Sequence, residues 1–231
     1  FGGLNSLNSL HKVVNFFKVF KKNKIIKIVY CPPNTLIRPM SKKLKNSKIE
    51  VGAQNCHENE NYGAFTGSVN SAMLKNVGAK YVIIGHSENR SSGENDKLIN
   101  LKIKNALKSK LKVIFCIGES MAEKKKKMTK KILSSQISKG LYKINNRNNI
   151  LIAYEPVWSI GTGIIPKSSE LRNTVSFIKK KLKNYKILYG GSVNPKNINQ
   201  FKSIDNLDGF LIGGASQNTK KFIDIIKKTY N

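Results

Sequence analysis

Seven short apolar runs, rich in β-branched residues, recur along this chain and limit the folds open to it. They cover residues 27–31, 49–53, 81–85, 113–117, 150–154, 187–190 and 209–213. Because they are apolar almost throughout, they are typical of parallel strands buried on both faces. Amphipathic, lysine-rich stretches lie between them, as at Asp96 to Leu107, where Leu98, Leu101 and Ile103 have mostly helical spacing. Alternating strands and helices predict a parallel α/β fold.

The domain organisation follows from the even composition of the chain. No linker or change of composition divides it, so residues 1–231 are interpreted as one domain.

Glycines follow nearly every predicted strand, which favours a (β/α)₈ barrel, although an open doubly wound sheet is the alternative. A barrel needs eight strands, with the first strand before the first helix. This sequence has seven and opens with a helix at about residues 6–22, so we predict a barrel whose first strand is missing from the sequence.

The net charge of +29 raises nucleic acid as a partner. However, 38 of the 42 basic residues are lysines, whereas base and phosphate recognition favours arginine forks. The lysines are also spread over almost every helical stretch, and the abundant Lys, Asn and Ile share AT-rich codons. We attribute the charge to nucleotide bias and predict no specific nucleic-acid partner. The run Lys124 to Lys127 is then a solvated helix start.

Membrane and metal sites are not indicated. The apolar run Val13 to Phe20 is shorter than the roughly 18 to 20 residues of a membrane helix, and no secretory signal is recognisable. Three cysteines, Cys31, Cys56 and Cys116, have neither metal-ligand spacing nor an even count. We expect no membrane association, no metal and a reducing, cytoplasmic location.

The segment from Ala153 to Gly163 is the strongest functional signal. It reads Ala-Tyr-Glu-Pro-Val-Trp-Ser-Ile-Gly-Thr-Gly, so Glu155 ends an apolar strand and a glycine-hinged loop follows. In a barrel, such a carboxylate beside a closing loop can act as a general base. A lone glutamate after a buried strand is more often a structural hydrogen-bond acceptor. The whole segment, however, resembles the catalytic strand and closing loop of the triose-phosphate isomerase family.

Five further motifs extend this resemblance over essentially the whole chain. Gly85-His86-Ser87-Glu88 resembles the strand-four motif of the family. Gly190-Gly191-Ser192 and Gly213-Gly214 resemble the turns after its last two strands. Val51 to Asn55 and Phe115 to Glu119 match the ends of strands three and five.

The resemblance implies a TIM (β/α)₈ barrel that interconverts dihydroxyacetone phosphate and D-glyceraldehyde 3-phosphate through an enediolate, with no cofactor or metal. Glu155 would be the base and His86 the electrophile. The loop Pro156 to Ile165 would close over the substrate, with Trp158 as its anchor, while Cys116 would be a buried core thiol. The implied substrate-binding residues are Gly161, Ser192, Gly213 and Gly214.

The resemblance also implies a homodimer. The loop from Cys56 to Asn70, around Tyr62, Phe65 and Thr66, resembles the loop that inserts into the neighbouring subunit. Judged by itself, a polar loop of this length could merely cover its own barrel. The family's intersubunit salt bridge is absent, because Asn89 and Ser68 stand at its two positions.

Two alternatives remain open at this stage. The family carries an Asn-x-Lys-Met run at the end of strand one, whose lysine contacts substrate, and that run would lie before Phe1. Without it, residues 1–231 could be a catalytically impaired barrel acting as an anion- or nucleic-acid-binding protein. The second alternative is another barrel enzyme with the same phosphate site. The sequence around Glu155 argues against this alternative.

Overall fold

The computed structural model describes residues 3–21, 25–145 and 147–230, in which strands and helices alternate. The strands are β1 (Val29–Tyr30), β2 (Glu50–Ala53), β3 (Tyr81–Ile84), β4 (Lys112–Ile117), β5 (Ile150–Tyr154), β6 (Lys186–Tyr189) and β7 (Gly209–Phe210). The helices are α1 (Gly3–Val19), α2 (Asn34–Leu44), α3 (Ser71–Asn76), α4 (Ser87–Ser91), α5 (Asp96–Lys108), α6 (Met121–Lys125), α7 (Thr129–Gly140), α8 (Ser168–Lys181), α9 (Ile198–Phe201) and α10 (Thr219–Tyr230). The seven predicted strands are confirmed, and α1 corresponds to the predicted first helix, whose last residue, Lys22, lies outside the described residues.

The seven strands form one parallel sheet in chain order, from β1 to β7. Parallel pairing brings all their carboxyl ends to the same edge, where the loops after β3, β5 and β6 meet. Within the described ranges, β1 pairs only with β2 and β7 only with β6. The sheet therefore has an unpaired edge at each end.

Side chains on the two faces of the sheet form two separate cores. The inner cluster contains Tyr81, Ile83, Ile114, Cys116 and Ala153. The larger cluster packs the outward side chains of the strands against the helices. Burial on both faces is the physical reason that each strand is apolar at successive positions. It also confirms the interpretation of Cys116 as a core thiol, because its side chain is 1% exposed.

Two details of the predicted helices need correction. Helix α5 forms where expected, but its buried apolar residues are Ile99, Ile103 and Ala106, and Leu101 is exposed. In the run Lys124 to Lys127, the last three residues are solvated as predicted, but the prediction that a helix starts there is wrong. A capping box formed by Ser120 and Glu123 starts α6 at Met121, so Lys124 lies near the end of the helix and is only partly exposed.

No helix among the described residues is both long and apolar enough to cross a membrane. All three cysteines are free thiols.

Candidate active site

Glu155 follows the last residue of β5 and lies almost completely buried at the carboxyl edge of the sheet, with 3% of its surface exposed. Its backbone N–H donates to the carbonyl of Ile117 at 2.8 Å, which continues the β4–β5 pairing by one residue. The carboxylate therefore extends from a fixed strand end and not from a mobile loop. Its Oε2 atom is buried and has no hydrogen-bond partner within the described part of the chain.

Two glycines, Gly118 and Gly190, pack directly against Glu155. A Cβ atom built on Gly118 would lie 1.8 Å from the carbonyl oxygen of Glu155, and one built on Gly190 would lie 2.6 Å from its Cγ. Both contacts are far too close for real atoms. Glycine is therefore required at both positions by space, because Gly118 lies against the backbone of Glu155 and Gly190 against its side chain.

Burial raises the pKa of the Glu155 carboxyl to about 8. A hydrogen bond from the Cys116 thiol favours the ionised form and offsets part of this rise. A carboxylate that is costly to ionise has a strong affinity for a proton once it is ionised. Perturbation by desolvation, in a group that lines a cavity, is characteristic of a functional carboxylate.

His86 follows β3 and caps the N-terminus of α4. Its Nδ1 atom accepts a hydrogen bond from the backbone N–H of Glu88 at 3.3 Å, which assigns the ring proton to Nε2. That Nε2 atom is 3.5 Å from Oε1 of Glu155. Burial lowers the pKa of His86, partly offset by the charge of Glu88, so the ring favours its neutral form.

The remaining predicted site residues line the same cavity as His86 and Glu155. They are Gly161, Ser192, Gly213 and Gly214. A Cβ atom built on any of the three glycines would meet no atom within 4 Å, so each faces open space. Gly161 also has a φ of +68°, which disfavours other residues there. All six predicted site residues thus line one cavity, which also extends to the amino ends of the strands at Lys112 and Lys186.

The loop between β5 and α8 is docked against the turn that follows β6. The hydroxyl of Ser192 donates to the carbonyl of Ser159 at 2.7 Å and accepts from the backbone N–H of Gly163 at 3.3 Å. Thr162 and Ile164, towards the tip of the loop, remain exposed. The loop therefore has an anchored base and an exposed tip, as a closing segment requires.

Two side chains that support the site were not assigned roles from the sequence. Glu119, which is 1% exposed, accepts hydrogen bonds from the Tyr154 hydroxyl at 3.2 Å and from the indole N–H of Trp158 at 3.0 Å. Arg90 donates to the carbonyls of Gly85 and Cys116 at 2.8 and 3.3 Å. These contacts fix the loop base and the two strand ends behind Glu155. The sequence signal for Glu119 was its position directly after an apolar strand and a glycine.

Comparison with known proteins identifies the family. The family model described as triosephosphate isomerase matches residues 4–229. The triosephosphate isomerase of Thermodesulfovibrio yellowstonii is 46% identical over 205 residues, covering 85% of this chain and 83% of that protein. The triosephosphate isomerase of Gloeothece citriformis is 41% identical over 223 residues, covering 93% and 92%.

A solved structure supports the same assignment. The crystal structure of triosephosphate isomerase from Bartonella henselae superimposes with a TM-score of 0.88 at 32% identity, over 99% of this chain and 94% of that one. The predicted TIM-barrel fold is therefore confirmed, with seven of its strands present in the described residues. None of these relatives supports the alternative of an anion- or nucleic-acid-binding protein.

Proposed function

The chain belongs to the triosephosphate isomerase family, and we propose that Glu155 is the base and His86 the electrophile of its reaction. That reaction interconverts dihydroxyacetone phosphate and D-glyceraldehyde 3-phosphate by moving a proton between adjacent carbons. The observation that carries the proposal is the 3.5 Å separation of His86 Nε2 and Glu155 Oε1 beside one cavity. The same pair of roles is the one already described for triosephosphate isomerases.

Glu155 removes a proton from one carbon of the substrate and returns it to the next. Its buried carboxyl has few competing partners, since Oε2 is unpaired among the described residues. Ionising it costs free energy, and capture of a substrate proton relieves that cost. The rigid strand end holds the carboxylate at a fixed height, so that a small rotation moves it from one carbon to the other.

His86 donates a hydrogen bond from Nε2 to the substrate oxygens. The contact between Nδ1 and the backbone of Glu88 selects this tautomer. A neutral imidazole stabilises the negative charge that develops on the enediolate and keeps its own proton. The downward shift in the pKa of His86 therefore serves this role.

The substrate phosphate lies against Gly161, Ser192, Gly213 and Gly214. The three glycines leave room for a bulky dianion, and their backbone N–H groups can approach it without a side chain intervening. The loop Pro156 to Ile165 then covers the substrate and keeps water away from the intermediate, which would otherwise eliminate phosphate.

The assembly is a homodimer formed through the loop from Cys56 to Asn70. Tyr62 and Phe65 in this loop are 70% and 41% exposed, which is high for aromatic residues of an isolated subunit. Phe65 is held by the ring of His57, at a centroid distance of 5.3 Å.

The three free thiols favour a reducing, cytoplasmic setting.

The test compares two carboxylates that lie near His86. Glu155→Gln should lower kcat for dihydroxyacetone phosphate by about 10²–10⁴-fold. Glu88→Gln, the same chemical change at an exposed carboxylate 3.9 Å from His86 Nδ1, should leave kcat within a few-fold of the parent. The reverse order would assign the base to Glu88, and full activity in both variants would refute a carboxylate base at this site.

A further inference from the structure

The side chain of Lys124 connects the two ends of the closing loop. Its Nζ atom lies 3.5 Å from the centroid of the Trp158 ring, near the start of the loop. The same atom lies 2.6 Å from Oε1 of Glu170, in the first turn of α8, which follows the loop. An ammonium over an aromatic face is attracted by the negative face of the ring. One charged group therefore contacts both the start of the loop and the helix that follows it.

Trp158 is held from two directions. Its indole N–H donates to Glu119 at 3.0 Å, which fixes one edge of the ring, and Lys124 covers a face. The carbonyl of Trp158 accepts a hydrogen bond from the Thr162 hydroxyl at 2.9 Å. This hydrogen bond links the backbone at Trp158 to the exposed tip of the loop.

Lys124 itself stands on a fixed support. The capping box of Ser120 and Glu123 sets the start of α6, with Glu123 Oε2 accepting from the Ser120 backbone N–H at 2.7 Å. Lys125, the next residue, is exposed and provides a matched neighbour with the same charge. The close contact with Trp158 is therefore specific to position 124 on this helix.

We propose that Lys124 is a positioning residue for the closing loop. By bridging Trp158 and Glu170 it stabilises the docked arrangement, in which Ser192 holds Ser159 and Gly163. Lys124 affects the reaction through the loop. It raises the fraction of molecules in which the loop is docked and can cover the phosphate. The inference rests on the proposed function, because it assumes that the loop closes on a phosphorylated substrate.

The test uses the one tryptophan of the chain as a reporter. Lys124→Met keeps the apolar stem and removes the charge, Lys124→Arg restores a cation, and Lys125→Met is the control. Three quantities are measured for each: the emission spectrum of Trp158, the affinity for inorganic phosphate, and kcat with KM. We expect Lys124→Met to shift the emission, and to weaken phosphate binding and raise KM by about 2- to 30-fold, with a smaller change in kcat. Lys124→Arg and Lys125→Met should behave like the parent.

Glu170→Gln is a second variant that leaves the ammonium in place but removes its ion pair, and it should shift emission and KM in the same direction by a smaller amount. This variant tests the proposal if Lys124→Met fails to fold, as judged by circular dichroism. Parent-like emission and phosphate affinity in Lys124→Met would overturn the proposal. A shifted emission with unchanged phosphate affinity would also overturn it, since the contact would then be local to the ring. If the parent binds phosphate but turns over no triose phosphate, the proposed function fails, while emission and phosphate affinity still test Lys124.

Discussion

Replacing Glu155 by glutamine should lower kcat by about 10²–10⁴-fold and at the same time make the protein more stable above mildly acidic pH. The two effects have one cause, the burial of a carboxylate that is 3% exposed and has an unpaired oxygen in the described structure. A neutral amide of the same shape fills the site without the cost of an uncompensated buried charge.

The sign and size follow from the pKa of Glu155, raised from 4.5 to about 8. The folded protein holds this proton more tightly than the unfolded chain does. The stability due to the group is therefore complete below pH 4.5 and is lost as pH rises towards about 8. Each pKa unit corresponds to about 1.4 kcal/mol, so the full penalty is about 5 kcal/mol at and above pH 8. Glu155→Gln escapes that penalty.

The assay is reversible unfolding in denaturant across the range from pH 4.5 to about 8, for the parent, Glu155→Gln and the control Glu88→Gln. The difference in unfolding free energy between Glu155→Gln and the parent should grow steadily over this range, by about 5 kcal/mol. The control retains the buried carboxyl of Glu155 and removes only a charge that contributes to its raised pKa, so its difference from the parent should grow much less. A difference that stays constant with pH would show that Glu155 has an ordinary pKa, and would refute the argument from burial.

Three further outcomes are expected. Gly118→Ala should destabilise the fold by about 1–3 kcal/mol or more and lower activity, because its Cβ would overlap the backbone of Glu155; an unchanged melting temperature would contradict this. Gly214→Ala should keep the melting temperature of the parent but raise KM, because its Cβ enters open space in the cavity; a KM equal to that of the parent would remove Gly214 from the phosphate site. Binding to duplex DNA should be weak, with a Kd of about 10⁻⁴–10⁻⁶ M that depends steeply on salt, and a sequence-selective nanomolar complex would overturn the explanation of the charge by nucleotide bias.

The strands could be predicted from sequence because burial on both faces leaves a local signature. A run such as Ile150 to Tyr154 is apolar at successive positions wherever the strand packs. Placement of Glu155 and His86 at one edge followed from parallel pairing, since both residues come directly after strands. These inferences use only local sequence and the direction of the chain.

The rest depends on partners that are distant in sequence. In α5 the polar residues Asn100, Lys102 and Asn105 are buried, although their spacing suggests a solvated face. Asn100 donates to the carbonyl of Gly140 at 2.8 Å, across 40 residues, and thereby satisfies backbone that would otherwise be unpaired. Likewise, nothing near Lys124 in sequence indicates that it covers Trp158. Contacts of this kind are fixed by packing and leave no periodic pattern.

The two glycines that pack against Glu155 limit the substitutions that the chain can accept. A change of G to A in a glycine codon gives serine, arginine, aspartate or glutamate, and a change of G to T gives valine, cysteine, tryptophan or a stop codon. Each of these residues has a Cβ atom. At Gly118 and Gly190 the space for that atom is already taken by Glu155 itself. Any single-base change that replaces one of these two glycines should therefore displace Glu155 or destabilise its surroundings.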